Sequence, residues 1–153
     1  MKYNEGLYNS KWLSKFINKF CIQGKKLQIE KIIYYSFFLT KKKLNYYPIF
    51  IFFEVLEKIK PSIGLKIFKF KWGNSKKKKI NAFPYILTTS LQYKKSIFWL
   101  IQSIKLRQEN NLSLKIYNEF YDILFNNSGN SLKKKKDYYK YVILFKTIKK
   151  FKW

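Results

Sequence analysis

The sequence contains no histidine and only one cysteine, Cys21, among its 153 residues. A zinc site built from protein side chains typically needs about four Cys, His or carboxylate ligands, so a site of the usual kind is excluded. A single cysteine also excludes an intramolecular disulfide. Because histidine is the commonest general base, no serine or cysteine has its usual activating partner. The sequence therefore predicts neither a cofactor nor an enzymatic activity.

Negative charge is also scarce. The chain has 8 acidic residues against 33 basic ones, which gives a formal net charge of +25. Mutual repulsion on that scale opposes compaction and is relieved when a polyanion binds. Nucleic acid, with a phosphate on every nucleotide, is the leading candidate partner, and an anionic membrane is the second.

Arginine is nearly absent, since Arg107 is the only one. Lysine, asparagine, isoleucine, phenylalanine and tyrosine are abundant, and these residues have A/T-rich codons. The bias indicates an A/T-rich genome, such as a small organellar one. Lysine binds phosphate as a point charge and lacks the bidentate fork of arginine. This favours binding to a nucleic-acid backbone over the reading of base edges.

Long apolar runs are missing as well. The two most apolar segments are Ile32–Leu39 and Ile49–Phe53, and both are far shorter than the roughly 20 residues that a membrane-spanning helix needs. The first residues resemble neither a secretory signal nor an Arg-rich presequence. If the protein works in an organelle, we therefore expect it to be synthesised there.

Apolar residues recur with helical spacing over most of the chain. Residues 1–9 are predicted to form a polar arm, and a first helix follows. A second helix is predicted to run to about Thr40, where Lys41–Lys43 would form a charged linker. A third helix is predicted to begin at Pro48 and to stop at Pro61.

The period changes from about four to two in the middle of the chain. Alternating apolar residues from Ile63 to Trp72, a turn signal at Gly73–Ser75 and a second apolar run to about Thr88 predict a long β-hairpin at about residues 62–89. A slip in the alternation near Ile67 indicates a β-bulge.

Helical spacing then returns for three more helices. The last is predicted to carry Lys133–Lys136 in its first turn, where four positive charges oppose the helix macrodipole. We therefore expect a group outside the chain to offset them. The resulting fold class is mainly α, with a single domain of about six helices over residues 10–153. The hairpin is inserted between the third and fourth helices.

A series of short motifs runs in a fixed order along residues 9–153. The motifs are Leu13–Asn18, Gly24–Lys26, Ile32–Tyr34, Leu56–Pro61, Phe83-Pro84, Lys105–Arg107, Asn118–Asp122, Lys133–Asp137 and Phe151–Trp153. In residue type, order and spacing they resemble the bacterial-type family of small-subunit ribosomal protein seven. The hairpin departs from that family, because Phe70-Lys71-Trp72 stands where the family has Val-Gly-Gly and the tip is longer.

The resemblance implies a structural constituent of the small ribosomal subunit that acts in translation. Proteins of this family bind the three-prime major domain of small-subunit ribosomal RNA and organise the head of the subunit. Their hairpin lies near the exit site, close to messenger RNA and exit-site transfer RNA. Their neighbours are head and platform proteins resembling ribosomal proteins nine and eleven. With the A/T-type composition, the resemblance favours a mitochondrial ribosome, with a relic plastid or a reduced bacterium as alternatives.

Basic residues at loops, helix ends and the hairpin are the candidate contacts to ribosomal RNA, together with the C-terminal tryptophan. They are Lys25, Lys26, Lys66, Lys69, Lys71, Lys105, Arg107, Lys133, Lys134, Lys135, Lys136 and Trp153. A second group at the hairpin tip is predicted to extend the reach of the hairpin toward RNA or a neighbouring protein. It consists of Trp72, Lys76, Lys77, Lys78 and Lys79.

Two other function classes fit the composition. A general nucleic-acid-compacting protein would share the charge but not the ordered motifs, and it would bind duplex DNA as well as ribosomal RNA. A membrane-surface protein would use the amphipathic Phe/Lys segments but would not need a hairpin. The motif series favours the ribosomal interpretation, with no membrane partner.

Overall fold

The structure of the protein is a computed structural model that describes residues 10–21, 23–71 and 78–148. Within these residues, the elements in chain order are α1 (Lys11–Phe20), α2 (Lys26–Leu44), α3 (Pro48–Ile59), β1 (Ile63–Lys71), β2 (Lys78–Ile86), α4 (Thr89–Lys105), α5 (Leu112–Tyr121) and α6 (Asn130–Ile148). Helix α5 continues into a π-helical turn, Asp122–Asn126. The predicted fold class is confirmed, and the predicted arm at residues 1–9 lies outside the described residues.

Four phenylalanines meet at the centre of the helical body. The ring centroid of Phe52 on α3 lies 5.4 Å from Phe16 of α1, 6.2 Å from Phe37 of α2 and 6.4 Å from Phe120 of α5. All four side chains are almost completely buried. Burial of one such side chain contributes about 1.5–3 kcal/mol. The apolar faces of these helices therefore point inward, and their lysine-bearing faces point outward.

Helix α2 is longer than predicted. It runs through Lys41–Lys43, so the prediction of a charged linker there is wrong. Lysine has good helix propensity, and positive charge is favourable in the last turn of a helix. The helix is capped by Asn45, which follows its last residue and adopts a left-handed conformation with φ 54°. Helix α3 begins at Pro48, as predicted. Among the described residues, no helix is long and apolar enough to cross a membrane.

The hairpin pairs without a bulge. Its antiparallel register is continuous from Ile63 opposite Ile86 to Lys71 opposite Lys78, so the predicted bulge near Ile67 is wrong. Strand register is strongly specified only where one face of a sheet is buried. A two-stranded ribbon lacks a wide buried face, so its apolar alternation can change without an extra residue. At its base, the Ser62 N–H donates to Tyr139 Oη of α6 at 2.9 Å.

Helix α6 begins at Asn130, earlier than the prediction required. Lys133–Lys136 therefore occupy its second turn and not its first, which moves them away from the positive end of the helix dipole. Gly129, just before the helix, is packed so tightly that an added Cβ would lie 2.6 Å from Ile123 Cγ1. The start of α6 is thus pressed against the π-helical turn that ends α5.

Candidate nucleic-acid interface

Four lysines form a basic cluster on the outer faces of α1 and α4. Lys11, Lys15 and Lys19 are spaced by four residues along α1, so they lie on one face of that helix. Desolvation and the neighbouring charges of Lys11, Lys94 and Lys19 lower the pKa of Lys15. None of the four makes an ion pair with a carboxylate of the described residues. We call Lys11, Lys15, Lys19 and Lys94 the α1–α4 lysine cluster.

Aromatic rings lie beneath two lysines of this cluster. Lys15 Nζ lies 4.5 Å from the centroid of the Trp12 ring, and Lys19 Nζ lies 5.7 Å from that of Phe98. Cation–π attraction favours a lysine ammonium over the face of an aromatic ring. The rings therefore favour fixed positions for ammonium groups that otherwise repel one another. Such an arrangement suits the binding of phosphates.

The N-terminal end of α2 carries two of the predicted contacts. Lys25 and Lys26 are both exposed. Lys26 Nζ lies 3.7 Å from Glu30 Oε1, one turn further along the helix. Lys25 has no such ion pair within the part of the chain that the structure describes. Lys25 is therefore the stronger candidate of the two for a phosphate contact.

The lysine run at residues 133–136 divides between two faces of α6. Lys134 Nζ donates to Gln102 Oε1 of α4 at 3.0 Å, and Lys135 Nζ donates to the Lys58 carbonyl oxygen at the end of α3 at 2.7 Å. Burial lowers the pKa of Lys134, although the nearby charge of Glu119 opposes this. Lys133 and Lys136 are exposed. The inner pair thus joins helices, while the outer pair is available to an external anion.

This division carries a prediction for two matched double variants. Lys134→Gln with Lys135→Gln is expected to lower the free energy of unfolding by about 1–2 kcal/mol, because two partly buried hydrogen bonds between helices are lost. Lys133→Gln with Lys136→Gln is expected to change that free energy by less than about 0.5 kcal/mol, and to weaken RNA binding with a smaller salt dependence. Urea unfolding and RNA titration would measure both effects. Equal destabilisation by the two double variants would contradict the assignment.

Arg107, predicted as an RNA contact, is surrounded by carboxylates. Its guanidinium donates to Glu109 at 2.9 Å, to Glu119 at 2.7 Å and to Asp122 at 2.9 Å. Burial alone would lower the pKa of Arg107, but these hydrogen bonds outweigh it and raise the pKa above its ordinary value. Three negative charges around one guanidinium leave it little attraction for phosphate. The geometry gives Arg107 an internal role in joining the end of α4 to α5.

Glu119 is the acidic centre of this network and is completely buried. Besides Arg107, its carboxylate accepts hydrogen bonds from the backbone N–H of Ser131 at 3.0 Å and from Ser131 Oγ at 2.7 Å. Ser131 lies in the first turn of α6, so a negative charge sits at the positive end of that helix. The sequence prediction placed the compensating group outside the chain, whereas Glu119 supplies compensation from within it.

Glu109 gives the network a pH dependence. Burial alone would raise the pKa of Glu109, but hydrogen bonds from Asn118 and Arg107 outweigh it and lower the pKa to about 2. Since an unfolded Glu titrates near 4.3, the stabilisation is present above about pH 4.3 and is lost as the pH falls through 2. Glu109→Gln is therefore expected to destabilise the chain at pH 7 and to have a shrinking effect below about pH 4.3. Denaturant unfolding of both chains at several pH values would measure this difference.

The unmodified chain and Glu109→Gln could instead differ in free energy of unfolding by the same amount from neutral pH to pH 2. That result would contradict the proposed role of Glu109 in the pH dependence. Asn118→Ala provides the matched control, because Asn118 Nδ2 donates to Glu109 Oε1 at 3.0 Å. It removes one of the bonds that lower the pKa of Glu109. We expect the pKa of Glu109 in this variant to be lowered less, so that the free energy of unfolding depends on pH over a narrower range.

The other predicted contacts are described only in part. Lys66 on β1 and Lys105 at the end of α4 are exposed. The backbones of four further lysines lie in the paired strands, and their side chains are outside what the structure describes; these residues are Lys69, Lys71, Lys78 and Lys79. The remaining predicted contacts lie outside the described residues altogether; these are Trp72, Lys76, Lys77 and Trp153.

Sequence reasoning missed the α1–α4 lysine cluster. Its signal was available on α1, where lysines recur every four residues on the face opposite the buried Leu13 and Ile17. The contribution of Lys94 was not available, because its approach to α1 depends on how the two helices pack. The internal roles of Lys134 and Lys135 were missed because all four lysines of that run were treated alike.

Comparisons with known proteins match the chain to one family over most of its length. A family model described as ribosomal protein S7p/S5e matches residues 2–142. The chain is 33% identical over 147 residues to the small ribosomal subunit protein uS7 of Mycoplasma capricolum, and the match covers 96% of this chain and 90% of that protein. It is 28% identical over 151 residues to uS7 of Pelagibacter ubique, with the same coverage. The matched region therefore spans nearly the whole chain and includes the hairpin sequence.

Proposed function

Because the chain belongs to the ribosomal protein S7p/S5e family, we propose that its α1–α4 lysine cluster is a principal contact to the ribosomal RNA that the family binds. As a member of this family, the protein is a non-enzymatic structural component of the small ribosomal subunit and acts in translation. The observation that carries the proposal is the cluster itself. Lys11, Lys15, Lys19 and Lys94 face outward together without a carboxylate partner among the described residues.

We propose further contacts to RNA besides this cluster. We include the exposed lysines Lys25, Lys26, Lys66, Lys105, Lys133 and Lys136, and the hairpin lysines Lys69, Lys71 and Lys76–Lys79. Trp72 and Trp153 are proposed to stack on exposed bases, at about 1–3 kcal/mol each. Arg107, Lys134 and Lys135 are left out, because hydrogen bonds within the chain occupy their charged groups.

The hairpin supports a more specific proposal about position. Each strand has nine residues, so at about 3.3 Å per residue the ribbon measures roughly 30 Å. Its base is held to α6 by Ser62 and Tyr139. We propose that the body binds the three-prime major domain and organises the subunit head. The hairpin would then lie near messenger RNA and the exit-site transfer RNA, among proteins resembling ribosomal proteins nine and eleven.

Salt dependence of binding tests the proposal. Neutralising about ten phosphates should give a slope of log affinity against log salt of about −7 to −9. The full chain would be titrated with a transcript of the three-prime major domain over a range of salt concentrations. A slope of only about −1 to −2 would contradict an extended phosphate-binding surface. Duplex DNA of similar length and anionic vesicles serve as competitors, and equal displacement by either would favour the other two function classes.

We also propose a compartment, the small subunit of a mitochondrial ribosome. The near absence of arginine and the A/T-type composition support it, while the relatives named in the comparisons are bacterial, as a reduced bacterial source would also predict. Labelling with radioactive tyrosine in a eukaryotic source, with cytosolic translation inhibited, would test it. A labelled chain in the small subunit of purified mitochondria is expected, whereas a labelled chain in a plastid would favour the plastid alternative. Synthesis that stops when cytosolic translation stops would contradict the proposal.

A further inference from the structure

The turn between α2 and α3 carries large exposed aromatic rings beside three lysines. Tyr46, Tyr47 and Phe50 are 69%, 66% and 67% exposed. Lys41–Lys43, in the last turn of α2, are exposed as well. We call these six residues the α2–α3 corner. Large exposed apolar side chains that cluster in one place often mark a binding site, whereas single exposed apolar residues are common on any protein surface.

The rings of the corner are attached to well-defined helix ends. The Asn45 N–H donates to the Lys41 carbonyl oxygen at 3.0 Å, which ends α2. Tyr47 immediately precedes the buried Pro48, which begins α3. The ring centroids of Tyr47 and Phe50 are 6.3 Å apart with their planes at 88°. The corner therefore presents its rings from a fixed backbone, which lowers the entropic cost of binding.

The chain segment that forms the corner carries charge of one sign only. No aspartate or glutamate occurs from residue 31 to residue 53. Lys41 Nζ lies 5.8 Å from the Tyr47 ring centroid, so cation and ring are close together. The bland explanation, that lysines favour the negative end of a helix dipole, accounts for Lys41–Lys43. It does not account for the three exposed rings that follow them.

We propose that the α2–α3 corner binds an unpaired segment of small-subunit ribosomal RNA, with its bases stacked on the rings and its phosphates beside the lysines. The proposal rests on the function proposed above and adds a base-stacking site to its phosphate contacts. A single strand offers alternating phosphates and accessible base faces, which matches alternating cations and rings. A duplex hides its base faces. An acidic protein would satisfy the lysines but would offer the rings no stack of planar partners.

Binding of short RNAs by the full chain tests the corner. The probe is a labelled, unstructured oligouridine of about 12 nucleotides, within the length that single-strand sites cover. A triple variant, Tyr46→Ala, Tyr47→Ala and Phe50→Ala, is expected to bind it at least about 100-fold more weakly at fixed salt, with the salt slope unchanged. Lys41→Gln, Lys42→Gln and Lys43→Gln together are expected to reduce the slope by about 2.

Two controls separate stacking from a general loss of exposed rings or of folding. Tyr141→Ala removes an exposed ring from α6, which carries no residue of the corner, and is expected to leave oligouridine binding unchanged. Replacing Tyr46, Tyr47 and Phe50 by leucine keeps apolar bulk without a π face. This variant is expected to lose as much affinity as the alanine variant. Circular dichroism checks that each chain is folded.

The failure of this inference is distinguishable from failure of the proposed function. The corner proposal alone is overturned by one pair of results. The unmodified chain binds the three-prime domain with a steep salt slope, and the alanine triple variant binds the three-prime domain and oligouridine as tightly as the unmodified chain does. A shallow slope for the unmodified chain overturns the proposed function instead. The corner proposal is also overturned if the triple variant loses affinity only for anionic vesicles or only for a neighbouring ribosomal protein. It is overturned as well if the variant loses as much affinity for duplex RNA as for oligouridine.

Discussion

Glu119→Ala is expected to lower the free energy of unfolding by about 3–5 kcal/mol, a large share of the total stability of a small domain. Glu119 is completely buried and accepts hydrogen bonds from Arg107 and from both donors of Ser131. Alanine removes the carboxylate and leaves these three donors without their acceptor. A buried donor without a partner costs about 1–3 kcal/mol. Equilibrium unfolding in urea would measure the loss.

The control for this variant is Glu54→Ala, which removes a carboxylate from the exposed face of α3. We expect it to change the free energy of unfolding by less than about 0.5 kcal/mol. Glu119→Gln is intermediate, because its amide oxygen still accepts hydrogen bonds while the charge is lost. If Glu119→Ala cost no more than Glu54→Ala, then the start of α6 would not depend on this carboxylate. Should the alanine variant fail to fold, the glutamine variant still gives a measurable difference.

The overall fold was predictable because its signals are local. Apolar residues recur every three to four positions over the helices and every second position over the hairpin, and both periods follow directly from backbone geometry. Pro48 marked the start of α3 because proline is favourable in a first helical turn. These signals do not depend on which elements meet in space, so they survive in a single sequence.

The errors occurred where tertiary contacts or weak local preferences decide. The charge run at Lys41–Lys43 resembled a linker, yet lysine tolerates a helix well and is favoured at its C-terminal end. The start of α6 depends on Glu119, which lies 12 residues before Ser131. No local pattern at Asn130 reveals that contact. The apparent bulge near Ile67 was a change in composition and not in strand pairing.

The candidate interface was only partly predictable, for a physical reason. Charge identifies the residues that repel one another, but only packing shows which charges are already paired within the chain. On α6, Ser131, Lys135, Tyr138 and Val142 follow a spacing of four and three, which is typical of one helix face. That spacing would have assigned Lys135 to the inner face. The carboxylates around Arg107, by contrast, come from the loop after α4 and from the end of α5, and only the fold brings them together.

Removing the α1–α4 lysine cluster is expected to have the largest effect on RNA affinity. Replacing Lys11, Lys15, Lys19 and Lys94 together by glutamine should reduce the salt slope by about 3–4 and weaken binding by about three orders of magnitude at 0.1 M salt. The reason is that each neutralised phosphate releases condensed counterions, and four such contacts are lost. Titration with the three-prime domain transcript at several salt concentrations would measure both quantities.

Two matched double variants test whether RNA binding depends on where the lysines lie or only on the net charge of the chain. Lys15→Gln with Lys94→Gln removes two charges from the cluster, whereas Lys60→Gln with Lys140→Gln removes two that already face Glu57 and Asp137. We expect the first pair to reduce the slope by about 1.5–2 and the second by less than about 1. Unfolding of both chains should be unaffected to within about 1 kcal/mol, since exposed lysines contribute little to stability. Equal slopes would mean that binding responds to net charge alone, and the cluster would then have no special role.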